Sequence, residues 1–252
     1  MHLSIFHEML QNPALPDSDK DVTRLMEEAL IVAGAGTLTT SWALCVATFH
    51  LLSSPRILAR LKDELNAAFP DTKSQPSLSQ VEQLPYLTAI IQEALRLSYG
   101  VATRLQRIPH EPLQFKAPEG PSWIIPAGTP VSMTSVLLHH NESTFPDSKA
   151  FLPERWLENP RLDKYLVSFS KGSRNCLGMN LAYAEMRLCL SSIFRRFGSA
   201  ELRASGFMDE RADKSGVLRL FETTIKDVEI VADGFIPLHD ESAKGIHIQV
   251  ES

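Results

Sequence analysis

The chain has 252 residues, of which 44% are hydrophobic, 22% charged and 8% aromatic, a composition that supports a sizeable buried core and excludes disordered, collagen-like and miniprotein classes. Lys and Arg number 25 against 30 Asp and Glu, and a net charge of -5 offers no basic surface for phosphate backbones, so nucleic acid is not an expected partner. The three cysteines, Cys45, Cys176 and Cys189, share no CxxC spacing, which excludes a disulfide framework and a structural zinc site.

Met1 to Gln11 lacks the basic start and unbroken apolar run of a signal peptide and reads as an amphipathic helix. Asp19 to Leu52 predicts a long helix, capped by Ser18 or Asp19. No Asp, Glu, Lys or Arg occurs between Glu28 and Arg56, a stretch long enough to cross a bilayer. Gly34, Gly36, Thr37, Thr39, Thr40, Ser41, Thr48 and His50 dilute its apolar character, so the expectation is a helix buried inside a protein, hydrophobic nearly all round, and no membrane span. Ser54-Pro55 closes it before a second helix over Arg56 to Phe69, and a polar loop, Pro70 to Gln80, leads to a helix over 81–97.

Beyond Tyr99-Gly100 the texture changes. Pro109, Pro112, Pro118, Pro121, Pro126 and Pro130 cut the chain into short extended pieces, including Gln114-Phe115-Lys116 and Trp123-Ile124-Ile125, which predict small sheets over 100–131. Helix returns at Thr134 to His140 and at 178–197, and the alternation of Thr223, Ile225, Val228, Ile230 and Val231 predicts one more small sheet in the region 201–252. The result is a single domain over 1–252, mainly α with small β-sheets (α+β), with no repeat or flexible linker.

The strongest chemical signal is the run Phe169-Ser170-Lys171-Gly172-Ser173-Arg174-Asn175-Cys176-Leu177-Gly178 ahead of a helix. A helix N-terminus and a neighbouring arginine favour the thiolate, the form of cysteine that binds metals, so Cys176 is either such a ligand or a small buried hydrophobe. Gly172 and Gly178 allow tight turns or a close backbone approach to a flat ligand, and Arg174 can pair with a carboxylate.

This string, with Phe169, Gly172, Arg174, Cys176 and Gly178 at their spacing, resembles the haem-binding loop of the cytochrome P450 superfamily, in which the cysteine is the axial ligand of haem iron. Upstream, Glu93-Ala94-Leu95-Arg96 is similar to the family's ExxR element, and a spacing of three puts Glu93 and Arg96 on one helix face. Pro153-Glu154-Arg155-Trp156 is similar to its PERF-like stretch, and the resemblance implies that Arg155 joins Glu93 and Arg96 in a buried structural triad within a meander and haem loop over 141–178. Ala35-Gly36-Thr37-Leu38-Thr39-Thr40 resembles the oxygen-side segment of the family's central helix. It makes Thr39 the catalytic threonine and Ala35 and Gly36 pocket residues; a second register, Ala33-Gly34-Ala35-Gly36-Thr37, is also open. Leu38 departs from the acid usual at its place and cannot relay protons. By the same resemblance Arg104 contacts a haem propionate, Gly100, Val101 and Ala102 line the substrate pocket, and Phe169 shields the cysteine sulfur. His139 and His140 read as structural, since adjacent histidines without a third ligand seldom bind metal.

The resemblance implies a cytochrome P450 fold truncated at its N-terminus, because members run to roughly twice this length. It implies a haem b cofactor held by the Cys176 thiolate, an NADPH-dependent reductase as electron donor docking near Lys171, and oxidation of a lipophilic, polyketide- or terpenoid-like substrate in fungal secondary metabolism. A full-length form with an anchor would sit on the cytoplasmic side of the endoplasmic reticulum; this chain is expected to lack that anchor. Two other outcomes stay open: a non-catalytic remnant that binds haem weakly or not at all, and a non-oxygenating haem-thiolate isomerase or dehydratase.

Overall fold

A computed structural model describes residues 4–71, 74–117, 119–207 and 215–251; Pro118 and the parts of the expected first helix, polar loop and tail that fall on 1–3, 72–73, 208–214 and 252 lie outside the described residues. Helix α1 is Ile5–Gln11, capped by the Ser4 hydroxyl, and a 3-10 turn, Asp17–Lys20, precedes helix α2, Val22–Ser53. The cap of α2 is Asp21, whose carboxylate accepts from the Thr23 and Arg24 N–H groups, rather than Ser18 or Asp19. The chain cannot start the helix at residue 19 because the 3-10 turn occupies that stretch.

Helix α3, Pro55–Ala68, starts with proline in its first turn, where a missing N–H costs nothing. The expected helix over 81–97 is two elements: a short α4, Leu78–Val81, and α5, Pro85–Ser98. Pro85 separates them, since proline fits the first turn of a helix and not its interior. Glu64 of α3 accepts from the Tyr86 and Leu87 N–H groups at 2.7 and 2.8 Å and so caps α5 from a neighbouring helix.

Four short strands follow, β1 Leu105–Arg107, β2 Leu113–Lys116, β3 Ser122–Ile125 and β4 Val131–Met133, paired as two antiparallel ribbons, β1 with β4 and β2 with β3. Helices α6 Ser135–His139, α7 Glu154–Glu158, α8 Met179–Arg196 and α9 Ala200–Ala204 carry the rest, with a 3-10 turn at Gly172–Arg174 in the cysteine loop.

In the tail the strands fall outside the alternating stretch of 223–231. Strands form at β5 Gly198–Ser199, β6 Val217–Leu220, β7 Ala232–Gly234, β8 Ile236–Leu238 and β9 Ile248–Glu251, in a three-stranded sheet β5-β6-β9 and a hairpin β7-β8. The stretch with alternating apolar residues instead makes a 3-10 turn, Ile225–Asp227, because Thr224 and Asp227 bond each other's backbone in a reciprocal cap.

The core lies where the second half of α2 meets α3, α5 and α8, with Val46, Leu51, Leu52, Leu58, Leu61, Leu87, Ile90, Ile91, Leu190 and Phe194 fully buried. Each such side chain contributes about 1.5–3 kcal/mol by leaving water. Lys62 is also fully buried, and its Nζ donates to the Phe194 and Phe197 carbonyls, satisfying oxygens at the end of α8 that have no helical partner. The first half of α2 is the exception. Met26, Leu30 and Ile31 are 67%, 77% and 64% exposed, so the helix is apolar on a solvent face and not buried nearly all round. Val22–Ser53 is long and apolar enough to cross a membrane.

Candidate active site

Glu93 and Arg96 sit one turn apart on α5, and both are fully buried. Glu93 accepts five hydrogen bonds: from Arg96 Nε and Nη2, Arg155 Nε, the Leu152 N–H and Trp156 Nε1, at 2.8–3.2 Å. Arg96 also donates to the carbonyls of His139, Ser148 and Ala150, and Arg155 to those of Pro146 and Asp147. Every charge in the cluster has a partner, the condition under which a buried ionic group is tolerated. The structure thus brings the three expected triad residues together, with Trp156 as an added member.

The end of α5 shapes the cysteine loop. Tyr99 and Gly100 are both left-handed, with φ of 64° and 68°, and a Cβ at Gly100 would collide with the Ser168 carbonyl oxygen. Ser168 Oγ donates to the Leu95 carbonyl at 2.7 Å, and the Val167 N–H donates to His139 Nε2 at 3.0 Å. Beyond these anchors the loop turns through left-handed Ser170 and Gly172, and the Cys176 N–H closes it onto the Phe169 carbonyl at 2.8 Å. Phe169 is half-buried with its ring 5.3 Å from Tyr183 of α8. Cys176 and Leu177 are exposed immediately before α8, and Gly178 is close enough that a Cβ there would lie 3.9 Å from Cys176 Sγ.

Cys176 is therefore not the buried hydrophobe of the alternative reading. Cys45 and Cys189 are half-buried, and burial pushes both thiols up. The two histidines are engaged: His139 is buried, and desolvation holds it neutral with its pKa pushed down to about 3, while half-buried His140 bonds Tyr99 Oη at 2.6 Å and Ser148 Oγ at 3.1 Å. His50 of α2 stacks on Phe151 at 4.5 Å beside the triad, and burial lowers it to about 4.

The expected pocket residues divide. Ala102 and Arg104 line a cavity of about 650 Å³ with Met133, Thr134, Leu137 and Val231, whereas Gly36 lines a separate groove between α2 and α8 with Thr37, Thr40, Leu44 and Cys189. Val101 turns its carbonyl to the Ser135 hydroxyl and is absent from the lining of both. Ala35 accepts the Thr39 hydroxyl at 2.8 Å, a bond back along the helix. Nothing lies within 4 Å of a Cβ placed on Gly34 or Gly36, so this part of α2 has open space beside it in either register.

Arg104 and Arg174 are exposed and have no hydrogen-bond or ion-pair partner among the described residues. Sequence reasoning passed over Arg107, which reaches Ser170 Oγ of the loop at 3.2 Å. It also passed over Trp156, although an indole N–H in place of phenylalanine is a donor that needs a partner when buried. An exposed thiol, two unpartnered guanidinium groups and an open glycine turn at Gly172 fit a flat group carrying acid side chains and a metal that takes a thiolate.

The family model for cytochrome P450 matches residues 5–219. The chain is 48% identical over 249 residues to the cytochrome P450 monooxygenase tpcC of Cochliobolus heterostrophus, an alignment covering 98% of this chain and 46% of that relative. It is 47% identical over 251 residues to the cytochrome P450 monooxygenase astB of Talaromyces wortmannii, covering 98% and 50%. With the N-acetyltryptophan 6-hydroxylase ivoC of Emericella nidulans it shares 41% identity over 256 residues, covering 99% and 45%. The chain belongs to the cytochrome P450 family. It spans about half the length of the curated relatives it matches.

Proposed function

We propose that this chain is the haem-binding portion of a fungal haem-thiolate monooxygenase that oxidises a lipophilic small molecule, of polyketide or terpenoid type, in secondary metabolism. The observation that carries the reading is the exposed Cys176 at the end of a loop that is anchored, through Val167 and Ser168, to the buried Glu93 frame. Bound haem supplies oxygen activation and electron transfer, which side chains alone lack.

Each residue then has a defined task. Cys176 would hold the haem iron through its exposed sulfur. Arg174 and Arg104 offer unpartnered guanidinium groups to the two propionates, and Arg107 adds a cation beside Ser170. Phe169 covers one side of the loop and limits water near the sulfur. Gly34 and Gly36 leave room on α2. The Thr39 hydroxyl, donating its proton to the Ala35 carbonyl, retains lone pairs at Oγ1 with which to accept a hydrogen bond. Leu38 takes no part in proton movement.

Electrons come from an NADPH-dependent reductase docking beside Lys171, exposed within the loop, and its acidic face makes reduction slow as salt rises. A form of the protein that carries a membrane anchor would work on the cytoplasmic side of the endoplasmic reticulum. A second reading, a chain that binds haem weakly and does not turn over, is favoured by the open, apolar first half of α2.

The test is the difference spectrum of the reduced, haemin-loaded chain with carbon monoxide. A Soret band at the thiolate position, lost in Cys176→Ala, supports the ligand assignment. No such band in the wild-type chain overturns it, and a band without turnover favours the second reading.

A further inference from the structure

His139 lies at the C-terminal end of α6 and is fully buried. Its two ring nitrogens are nonetheless spoken for by two backbone groups from different parts of the chain. Nε2 lies 3.0 Å from the Val167 N–H, which can only donate, so Nε2 accepts. Nδ1 must then carry the proton, and it donates to the Arg96 carbonyl at 2.8 Å. Arg96 returns a bond, donating from Nη1 to the His139 carbonyl at 2.9 Å. The ring is held between Tyr99 and Phe145, with centroids 6.3 Å from each.

We propose that His139 is a positioning residue for the cysteine loop, transmitting the geometry of the Glu93–Arg96 frame to Val167 and through it to Cys176. The proposal rests on the reading of Cys176 as the haem ligand only for its functional meaning, since the coupling itself belongs to the protein without haem. The Val167 and Ser168 anchors work in tandem: one ties the loop to the end of α6 and the other to α5 at the Leu95 carbonyl. Only the first depends on a side chain that itself reads the position of Arg96. A neutral imidazole is required, because an imidazolium has no lone pair for the Val167 N–H, and deep burial keeps the ring in that state.

The alternative is that His139 merely fills core volume. Three variants separate the two roles. His139→Leu removes both bonds, His139→Gln can place its amide oxygen where Nε2 accepts, and His139→Asn can donate only near the Nδ1 position. Amide hydrogen exchange of the full chain, with segment 166–176 read against α3 as the measure of global stability, is the readout. We expect at least tenfold faster exchange of the loop in His139→Leu and His139→Asn, recovery to within about threefold of wild type in His139→Gln, and no matching rise in α3. Alkylation of Cys176 relative to Cys189 should follow the same order.

Equal effects of all three variants on the loop, or a rise in α3 as large as that in the loop, would overturn the proposal. Should His139→Leu fail to fold, the comparison of Gln with Asn still decides, and equal protection in those two sinks the idea. On haemin-loaded protein the thiolate Soret fraction should fall in Asn and recover in Gln. Absence of that band in the wild-type chain would overturn the haem reading while the exchange result stands on its own.

Discussion

Glu93 and Cys176 stand at opposite extremes of burial. The carboxylate is fully buried, accepts five hydrogen bonds and is bracketed by two arginines, whereas the thiol is exposed with its own N–H closing a turn onto Phe169. A buried charge with all its partners present has one arrangement, and any loop attached to it inherits that definition. The loop, by contrast, contains left-handed Ser170 and Gly172 and few buried contacts, so little of its shape is set by its own packing. Rigidity is concentrated in the frame and reactivity in the loop, and the joints between them are Gly100, Val167 and Ser168.

The contrast is broken most directly at Glu93. Glu93→Ala strands two buried guanidinium groups and should cost about 3–5 kcal/mol, read as a lower denaturation midpoint in urea, or leave no folded protein at all. Next in size is the effect of acid on buried His139 and half-buried His50. His50 and His139 have folded pKa values of about 4 and about 3, below their ordinary 6.5, so the unfolded chain binds more protons between those limits. Stability is therefore complete above pH 6.5 and falls as pH drops through 6.5 towards 4, with a slope of up to about 1.4 kcal/mol per pH unit for each histidine. Urea titrations from pH 8 to pH 4 should show this slope, and it should be shallower in a folded His50→Gln variant.

The joint is tested by Gly100→Ala. A Cβ there meets the Ser168 carbonyl at a left-handed φ of 68°, and the expected cost is about 1–3 kcal/mol, with faster amide exchange in 166–176 than in α5. The smallest effect is expected at the thiol itself: Cys176→Ala should change the stability of the haem-free chain by less than about 0.5 kcal/mol. If Cys176→Ala proved as damaging as Gly100→Ala, the division between rigid frame and exposed loop would be wrong.

Much of the site was legible because its chemistry is written in local strings. Glu93 and Arg96 share a helix face by spacing alone, and the glycines, Arg174 and Cys176 fall within ten positions. Partners that are backbone atoms left no such trace: nothing in the letters around His139 shows that the Arg96 carbonyl and the Val167 N–H meet its ring. The environment of α2 was illegible for a different reason. Apolar residues such as Met26 and Leu30 look the same in sequence whether covered or open, and composition reports only that a cover would be favourable. In the tail, a period-two pattern was overridden by the Thr224–Asp227 cap, since a short alternation is a weaker determinant than two satisfied backbone donors. Arg104 and Arg107 differ by three places in a strand region, and only the approach of Arg107 to Ser170 tells their tasks apart.

The bond between Ser168 and the Leu95 carbonyl joins residues 73 apart in the chain, and this has a kinetic consequence. Helix α5 and its left-handed end are local and can form early, but docking the loop against them must first overcome the entropy of closing a long stretch of chain. Placement of the cysteine therefore rests on a contact that is entropically costly to close, and opening that contact alone leaves the thiol unplaced while the local bonds of α5 persist.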